Sequence, residues 1–189
     1  MESRSRLFTR KDRGFVEQAV RNCSHGIILG TPRRCGWGVP QVLMCAAEKH
    51  SLPFPTTYWL SCPFLTRIAA RLEAENGVRS MENLLESRIG EWNRFNLFLA
   101  WLRLSVMRTE RKNFQRRYAR RRFDSLRRGG VGGVARTVLD RPAVKCVHLQ
   151  MASFLGTGFH PASDWMLERI ARWECADGFC AVRQKEALQ

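Results

Sequence analysis

Three cysteines and one histidine, spread over three distant stretches, place the strongest constraint on how this chain folds. Cys35 lies in a glycine-rich turn, Cys62 stands directly before Pro63, and one residue separates Cys146 from His148. Three thiols and one imidazole are enough to bind one zinc ion or an iron–sulfur cluster. A chain that uses them together must bring all three stretches to one point.

The spacing of these residues leaves alternatives open. The chain has no Cys-x-x-Cys pair, which compact zinc sites usually contain. Cys146 and His148 can share an ion only if Cys146 precedes a helix and His148 lies in its first turn. Cys175 and Cys180, with four residues between them, are an alternative ligand source to His148. Without a metal, the cysteines are small apolar core residues.

Composition favours a cytoplasmic protein with an anionic partner. The 189 residues suit a single domain, and the net charge of +15 favours nucleic acid, a phosphate-containing ligand or a membrane surface as partner. No apolar run reaches the roughly 20 residues that span a bilayer, and no signal peptide is recognisable. In a reducing compartment the seven cysteines are not expected to form disulfides.

The hydrophobic pattern predicts an α+β fold: a small two- or three-stranded sheet packed against several helices, one of them long and basic. Strands are predicted at 26–30, 39–47 and 58–60, and helices at 11–22, 63–76, 78–88, 91–125, 147–155 and 163–174. The single domain 1–189 then contains a basic helical region at 91–128 and a C-terminal tail at 171–189.

A glycine-rich loop and two basic residues suggest a small anion pocket. Gly130, Gly132 and Gly133 can wrap backbone N–H groups around a phosphate, although the loop matches no established nucleotide-binding motif. Arg34 and Lys145 each precede a candidate metal ligand, so we expect this pocket beside the metal site. The alternative is a flexible turn between helices.

Catalysis by a cysteine is a second hypothesis for the same residues. Cys62 is predicted to stand at a helix N-terminus, where the helix dipole lowers a thiol pKa. His148 would serve as the base if the fold brings it within hydrogen-bond distance of the thiol. The alternative is a buried or capping cysteine.

Nucleic-acid binding is the competing hypothesis for the whole protein. The basic region carries arginines and one tyrosine suited to phosphate contacts and base stacking: Arg116, Arg117, Arg120, Arg121 and Tyr118. The alternative is a solvated basic surface. A third hypothesis is a scaffold that binds a protein partner through Trp92 and Trp101.

Five short segments, in order, resemble an uncharacterised bacterial family, the domain of unknown function family 501. They are 35–40 (CGWGVP), 54–63 (FPTTYWLSCP), 72–73 (LE), 130–133 (GVGG) and 144–148 (VKCVH). The resemblance covers about residues 25 to 170 and implies no established activity. It does place Cys35, Cys62, Cys146 and His148 at the family's Cys, Cys and Cys-x-His positions. Gln150 stands where the family often has a further histidine.

Overall fold

The structure, a computed structural model, describes residues 7–20, 25–49, 52–106, 124 and 126–186. A three-stranded antiparallel sheet lies among helices, which confirms the predicted α+β class. The sheet has the order β1–β2–β5, and two short strand pairs, β3–β4 and β6–β7, lie outside it. The strands are β1 (Ile28–Arg34), β2 (Pro40–Cys45), β3 (Glu48–Lys49), β4 (Leu52–Pro53), β5 (Tyr58–Leu60), β6 (Thr137–Val138) and β7 (Arg141–Pro142).

The central strand β2 carries the apolar core of the sheet. Val42 and Leu43 are fully buried, and Val42 pairs with Leu60 of β5. Pro40 begins the strand, where the missing N–H of proline is tolerated. On the other side Pro40 pairs with Arg34, the last residue of β1. This pairing closes a tight turn that holds Cys35.

Seven helices with defined bounds surround the sheet in the described part of the chain. They are α1 (Arg10–Ala19), α2 (Pro63–Ala74), α3 (Gly77–Glu86), α4 (Ile89–Ser105), α5 (Val147–Thr157), α6 (Ser163–Arg169) and α7 (Phe179–Glu186). Pro63 begins α2 as predicted. The long helix predicted over 91–125 begins at Ile89, and α4 ends at Ser105. Residues 107–123 lie outside the described residues.

Helix α5 is the central helix of the fold. It packs against β5, α2, β1 and β2, and Val147, Met151 and Ala152 on it are fully buried. Gly156 allows the close approach to the sheet, since a Cβ there would lie 2.5 Å from the Tyr58 ring. The position of α5 therefore fixes the residues just before it, which include Cys146.

The N-terminal helix α1 is tied to the end of β1 by an ion pair. Thr9 and Asp12 form a capping box at the start of α1. The Asp12 carboxylate, almost fully buried, accepts two hydrogen bonds from the Arg34 guanidinium at 2.7 and 2.8 Å. Arg34 also donates to the backbone oxygens of Leu7 and Gly38. This network holds the turn around Cys35 in place.

One hydrophobic cluster runs from Phe15 in α1 to Cys180 in α7. The predicted C-terminal tail 171–189 therefore contributes to the core. None of the helices in the described ranges is long and apolar enough to cross a membrane.

Candidate metal site

The last turn of α2 meets the first turn of α5. The backbone N–H of His148 donates to Glu73 Oε1 at 3.2 Å, so Glu73 satisfies one of the free N–H groups at the start of α5. The same oxygen accepts from His148 Nδ1 at 2.8 Å. Because a carboxylate only accepts, Nδ1 carries a proton in this hydrogen bond. Glu73 thus fixes the orientation of the His148 ring.

Cys146 completes a group of three metal-ligating side chains at this helix junction. One ligand atom each from Glu73, Cys146 and His148 lies within 4.8 Å of the others. The Glu73 and His148 side chains are each 28% exposed, and Cys146 is half-buried. The group is therefore held by the fold but accessible from solvent.

Cys146 stands immediately before α5, as a shared site with His148 requires. It is the N-cap residue with an extended backbone, and Val147 is the first helical residue. Burial raises the pKa of the Cys146 thiol, and the charge of Glu73 acts in the same direction. The N–H groups of Leu149 and His148 and the charge of Lys145 oppose that shift without cancelling it. Cys146 is consequently a protonated thiol at neutral pH when no metal is bound.

Lys145 and the glycine loop lie next to this group. The exposed Lys145 ammonium donates to the Gly132 backbone oxygen at 3.3 Å. Gly132 has a φ of +70°, and a Cβ there would lie 2.5 Å from the Leu149 side chain. Glycine is therefore required at position 132 for the loop to pack against the start of α5.

The four residues predicted to share one metal ion do not meet. Cys62 is the N-cap of α2, and Glu73 lies eleven positions further along that helix. At about 1.5 Å per residue this places Cys62 roughly 16 Å from the group around Glu73. The predicted set is divided: Cys146 and His148 lie at one end of α2, and Cys35 and Cys62 at the other.

The same distance separates the predicted catalytic pair. His148 donates to Glu73 at the C-terminal end of α2, whereas Cys62 stands at the N-terminal end. Proton transfer between a nucleophile and its base requires hydrogen-bond distance. The structure therefore does not bring the two residues of the predicted catalytic pair together.

The predicted anion pocket is only partly assembled. Lys145 and Gly132 are in contact, but Arg34 belongs to the other end of α2 and is occupied by Asp12. In the glycine loop, the N–H of Gly130 donates to Val134 O and the N–H of Gly133 donates to Gly130 O. These two N–H groups are already hydrogen-bonded inside the loop and are therefore not available to a phosphate.

The loop is instead closed by buried side chains of α4. Arg103, only 1% exposed, donates to the backbone oxygens of Leu126, Gly129 and Gly130. Burial lowers the pKa of Arg103 to about 10. Asn96 accepts from the Val131 N–H at 3.1 Å. The glycine loop is thus a structural connection between α4 and the metal-ligating group.

Glu73 is the member of the group that is absent from the predicted ligand set. The sequence contained one indication of Glu73: the Leu-Glu pair at 72–73 is one of the five segments that resemble the family. Its partner, the histidine at 148, is 75 positions away in the chain. Only the packing of the end of α2 against the start of α5 shows that they meet.

The remaining predicted residues have separate outcomes. Arg116, Arg117, Arg120, Arg121 and Tyr118 lie outside the described residues, so the nucleic-acid hypothesis stays a prediction. Trp92 is fully buried and its indole N–H donates to Arg136 O, which makes it unavailable to a protein partner. Trp101 is 64% exposed and stacks on Phe98.

Fold and geometry define the class: an α+β protein in which a carboxylate, a thiol and an imidazole meet at a helix junction. A sequence model described as "Protein of unknown function (DUF501)" matches residues 31–168, and the chain belongs to this family. Glu73, Cys146 and His148 all lie within the matched residues. No curated protein and no solved structure matches the chain.

Proposed function

We propose that this member of the family binds one zinc ion through Glu73, Cys146 and His148, with one coordination position open for an anionic ligand. The observation that carries the proposal is the convergence of a carboxylate, a thiol and an imidazole within 4.8 Å. These are the ligand types that zinc takes from proteins.

The spacing of the ligand atoms supports a single ion. Zinc bonds of about 2.1 to 2.3 Å in a tetrahedron place neighbouring ligand atoms about 3.4 to 3.8 Å apart. Because the three atoms lie within 4.8 Å of one another, no separation between them needs to shorten by more than about 1.4 Å for them to coordinate one ion. Zinc would replace the proton of the Cys146 thiol, which passes to solvent, and binding through His148 Nδ1 beside Glu73 would require the proton on that nitrogen to leave it as well.

Three protein ligands leave one tetrahedral position for water or for an exogenous ligand. The half-exposed side chains of Glu73 and His148 leave the site accessible to such a ligand. Lys145, next to Cys146 and exposed, adds a positive charge at the edge of the site. This charge favours a small anionic ligand, such as a phosphate or a carboxylate, in the open position.

A zinc competition titration tests the ligand assignment. Glu73→Gln removes the ligand charge, whereas Glu75→Gln, the matched control at the C-cap of the same helix, removes an exposed carboxylate that pairs with Arg71 at 3.9 Å. We expect Glu73→Gln to weaken zinc binding at this site at least about tenfold, the lower bound for loss of an outer-sphere partner. Glu75→Gln should leave the zinc affinity unchanged. Equal affinities in both variants would reject Glu73 as a ligand.

The anionic ligand is tested separately on zinc-loaded protein. Inorganic phosphate serves as the probe, and its affinity is compared between the wild-type chain and Lys145→Met. The expected result is weaker phosphate binding to Lys145→Met with the zinc content unchanged. Phosphate binding of equal strength in both proteins would remove Lys145 from the proposal but leave the zinc site standing.

A further inference from the structure

Helix α4 presents apolar side chains on both its inner and its outer side. Trp92, Phe95 and Leu99 face the core and are almost fully buried. On the outer side, Leu97 and Trp101 are exposed and stand one helical turn apart. A surface helix of a folded domain usually carries polar or charged residues on the side that faces away from the core. The outer side of α4 is therefore apolar without being buried.

The C-terminal half of α4 has no charged residue on this outer side. From Phe95 to Ser105 the sequence contains one charged residue, Arg103. Arg103 is buried, and its guanidinium donates to backbone oxygens of residues 126, 129 and 130. The exposed residues Glu91 and Arg94, which have opposite charges, lie nearer the start of the helix. Water therefore meets an uncharged surface around Leu97 and Trp101.

Aromatic contacts extend this surface to the segment between α5 and α6. The Phe98 ring stacks on Trp101 with a centroid distance of 6.1 Å, and the Phe159 ring lies 5.3 Å from Phe98 on the way to α6. Phe98, Phe159 and Leu167 of α6 line one open cavity of about 680 Å³. Leu97, Trp101, Phe159 and Leu167 are 53%, 64%, 48% and 55% exposed, respectively. Together with Phe98 they form one continuous apolar surface, the α4 patch.

The size and composition of the α4 patch indicate an interaction surface. Single exposed apolar residues are common on folded proteins, but a continuous group of large ones usually marks a binding surface for a protein, a ligand or a membrane. Tryptophan, phenylalanine and leucine are the side chains that surface-bound helices insert at the boundary between lipid headgroups and acyl chains. Trp101, Phe98 and Leu97 provide all three within one helical turn of α4.

Charge favours an anionic membrane surface as the partner. The chain carries a net charge of +15, and the sequence that directly follows α4, residues 107–123, contains eight arginines and lysines and one glutamate. Each basic residue near an anionic lipid surface strengthens binding. Nucleic-acid phosphates attract the same charge, but the aliphatic side chains of Leu97 and Leu167 offer the bases no ring to stack on.

We propose that the α4 patch binds the surface of an anionic lipid membrane, with Leu97, Trp101 and Phe159 inserted between the lipid headgroups. Insertion transfers exposed apolar surface from water into the lipid, and the positive charge of the chain is attracted to the anionic headgroups. The helix lies on the membrane in this arrangement and does not span it. The proposal is independent of the zinc site, because it uses other residues.

Sedimentation with vesicles tests the proposal on the full-length protein. Wild-type protein should bind vesicles of equal parts phosphatidylglycerol and phosphatidylcholine more tightly than vesicles of phosphatidylcholine alone. The double variant Leu97→Gln/Trp101→Gln, which keeps helix-forming residues at exposed positions, should bind the anionic vesicles at least about tenfold more weakly. Val138→Gln/Leu139→Gln is the matched control, because it replaces two exposed apolar residues of the β6–β7 hairpin and should bind like the wild-type chain.

Several results would overturn the proposal. Wild-type protein that binds neither kind of vesicle, or both equally well, would do so. Equal binding of anionic vesicles by wild-type protein and Leu97→Gln/Trp101→Gln would show that charge alone is responsible. If the double variant lost affinity for single-stranded RNA but kept its affinity for vesicles, the patch would be a base-stacking surface.

The fluorescence of Trp101 tests the orientation of the bound protein without disrupting the patch. Trp101→Phe keeps an aromatic ring, and the difference in tryptophan emission between this variant and the wild-type chain reports the surroundings of Trp101. Anionic vesicles should shift this difference emission to shorter wavelength, because the indole leaves water for the lipid interface. An unshifted difference emission in vesicle-bound protein would show that the α4 patch does not face the membrane.

Discussion

His160 makes the stability of this protein depend on pH in a predictable way. The ring is 4% exposed, and burial lowers its pKa from 6.5 to about 3. The Ala162 N–H donates to Nδ1 at 3.0 Å, so Nε2 carries the proton and donates to Gln150 Oε1 at 2.9 Å. Phe95 packs edge-on against the ring with a centroid distance of 4.7 Å. The folded protein thus holds His160 neutral.

The sign and size of the effect follow from this pKa difference. Between pH 6.5 and about pH 3 the unfolded chain binds a proton that the folded protein excludes. The stability contributed by neutral His160 is therefore lost progressively as the pH falls through that window. At pH 5 the solution is 1.5 pH units below the unfolded pKa, and the loss is about 2 kcal/mol at 1.36 kcal/mol per unit.

Urea denaturation of the wild-type chain and of His160→Gln, each at pH 7 and pH 5, isolates the contribution of His160 to the free energy of unfolding. Both proteins lose stability on acidification for other reasons, such as protonation of metal ligands, but only the wild-type chain carries the His160 contribution. The free energy of unfolding should fall by about 2 kcal/mol more in the wild-type chain than in His160→Gln. Equal losses in the two proteins would refute the assignment of a buried, neutral His160.

Two further substitutions test the packing around the sites. Asp12→Asn should lower the free energy of unfolding by about 3 kcal/mol in urea denaturation at pH 7, because the Arg34 guanidinium loses the buried Asp12 carboxylate as its ion-pair partner. A decrease below about 0.5 kcal/mol would contradict this reasoning. Gly156→Ala should lower the thermal midpoint, since the added Cβ lies 2.5 Å from the Tyr58 ring. Gly90→Ala, its control in α4, meets only a side-chain atom at 3.8 Å and should raise the midpoint slightly; a fall in both variants would show that the contact with Tyr58 is not the cause.

Local sequence signals predicted the elements of the fold well. Pro63 marks the start of α2, and the apolar runs before and after the Cys35 turn became β1 and β2. These features depend on residues a few positions apart, which the sequence displays directly. The sequence could not place the end of the helix predicted over 91–125. Its apolar periodicity weakens gradually past Val106 and does not end at a helix stop signal.

The site could be predicted only in part, because its composition depends on helix orientation. The sequence correctly placed Cys146 before a helix and His148 in its first turn. It could not show that the C-terminal end of α2 packs at the start of α5, which brings Glu73 to His148 and leaves Cys62 at the other end of α2. The pair Cys175 and Cys180 was an alternative ligand source to His148, and the structure buries both residues in the hydrophobic core. A ligand set assembled from distant segments is fixed by tertiary packing, which spacing in the sequence does not reveal.

The zinc content of the wild-type chain and of His148→Ala, purified in parallel under anaerobic conditions, tests the central claim most directly. We predict colourless proteins, with about one zinc ion per wild-type chain and little or no zinc in His148→Ala. The same zinc content in both proteins would contradict the open site at Glu73, Cys146 and His148. A brown wild-type protein that contains iron and labile sulfide would contradict the assignment of zinc itself.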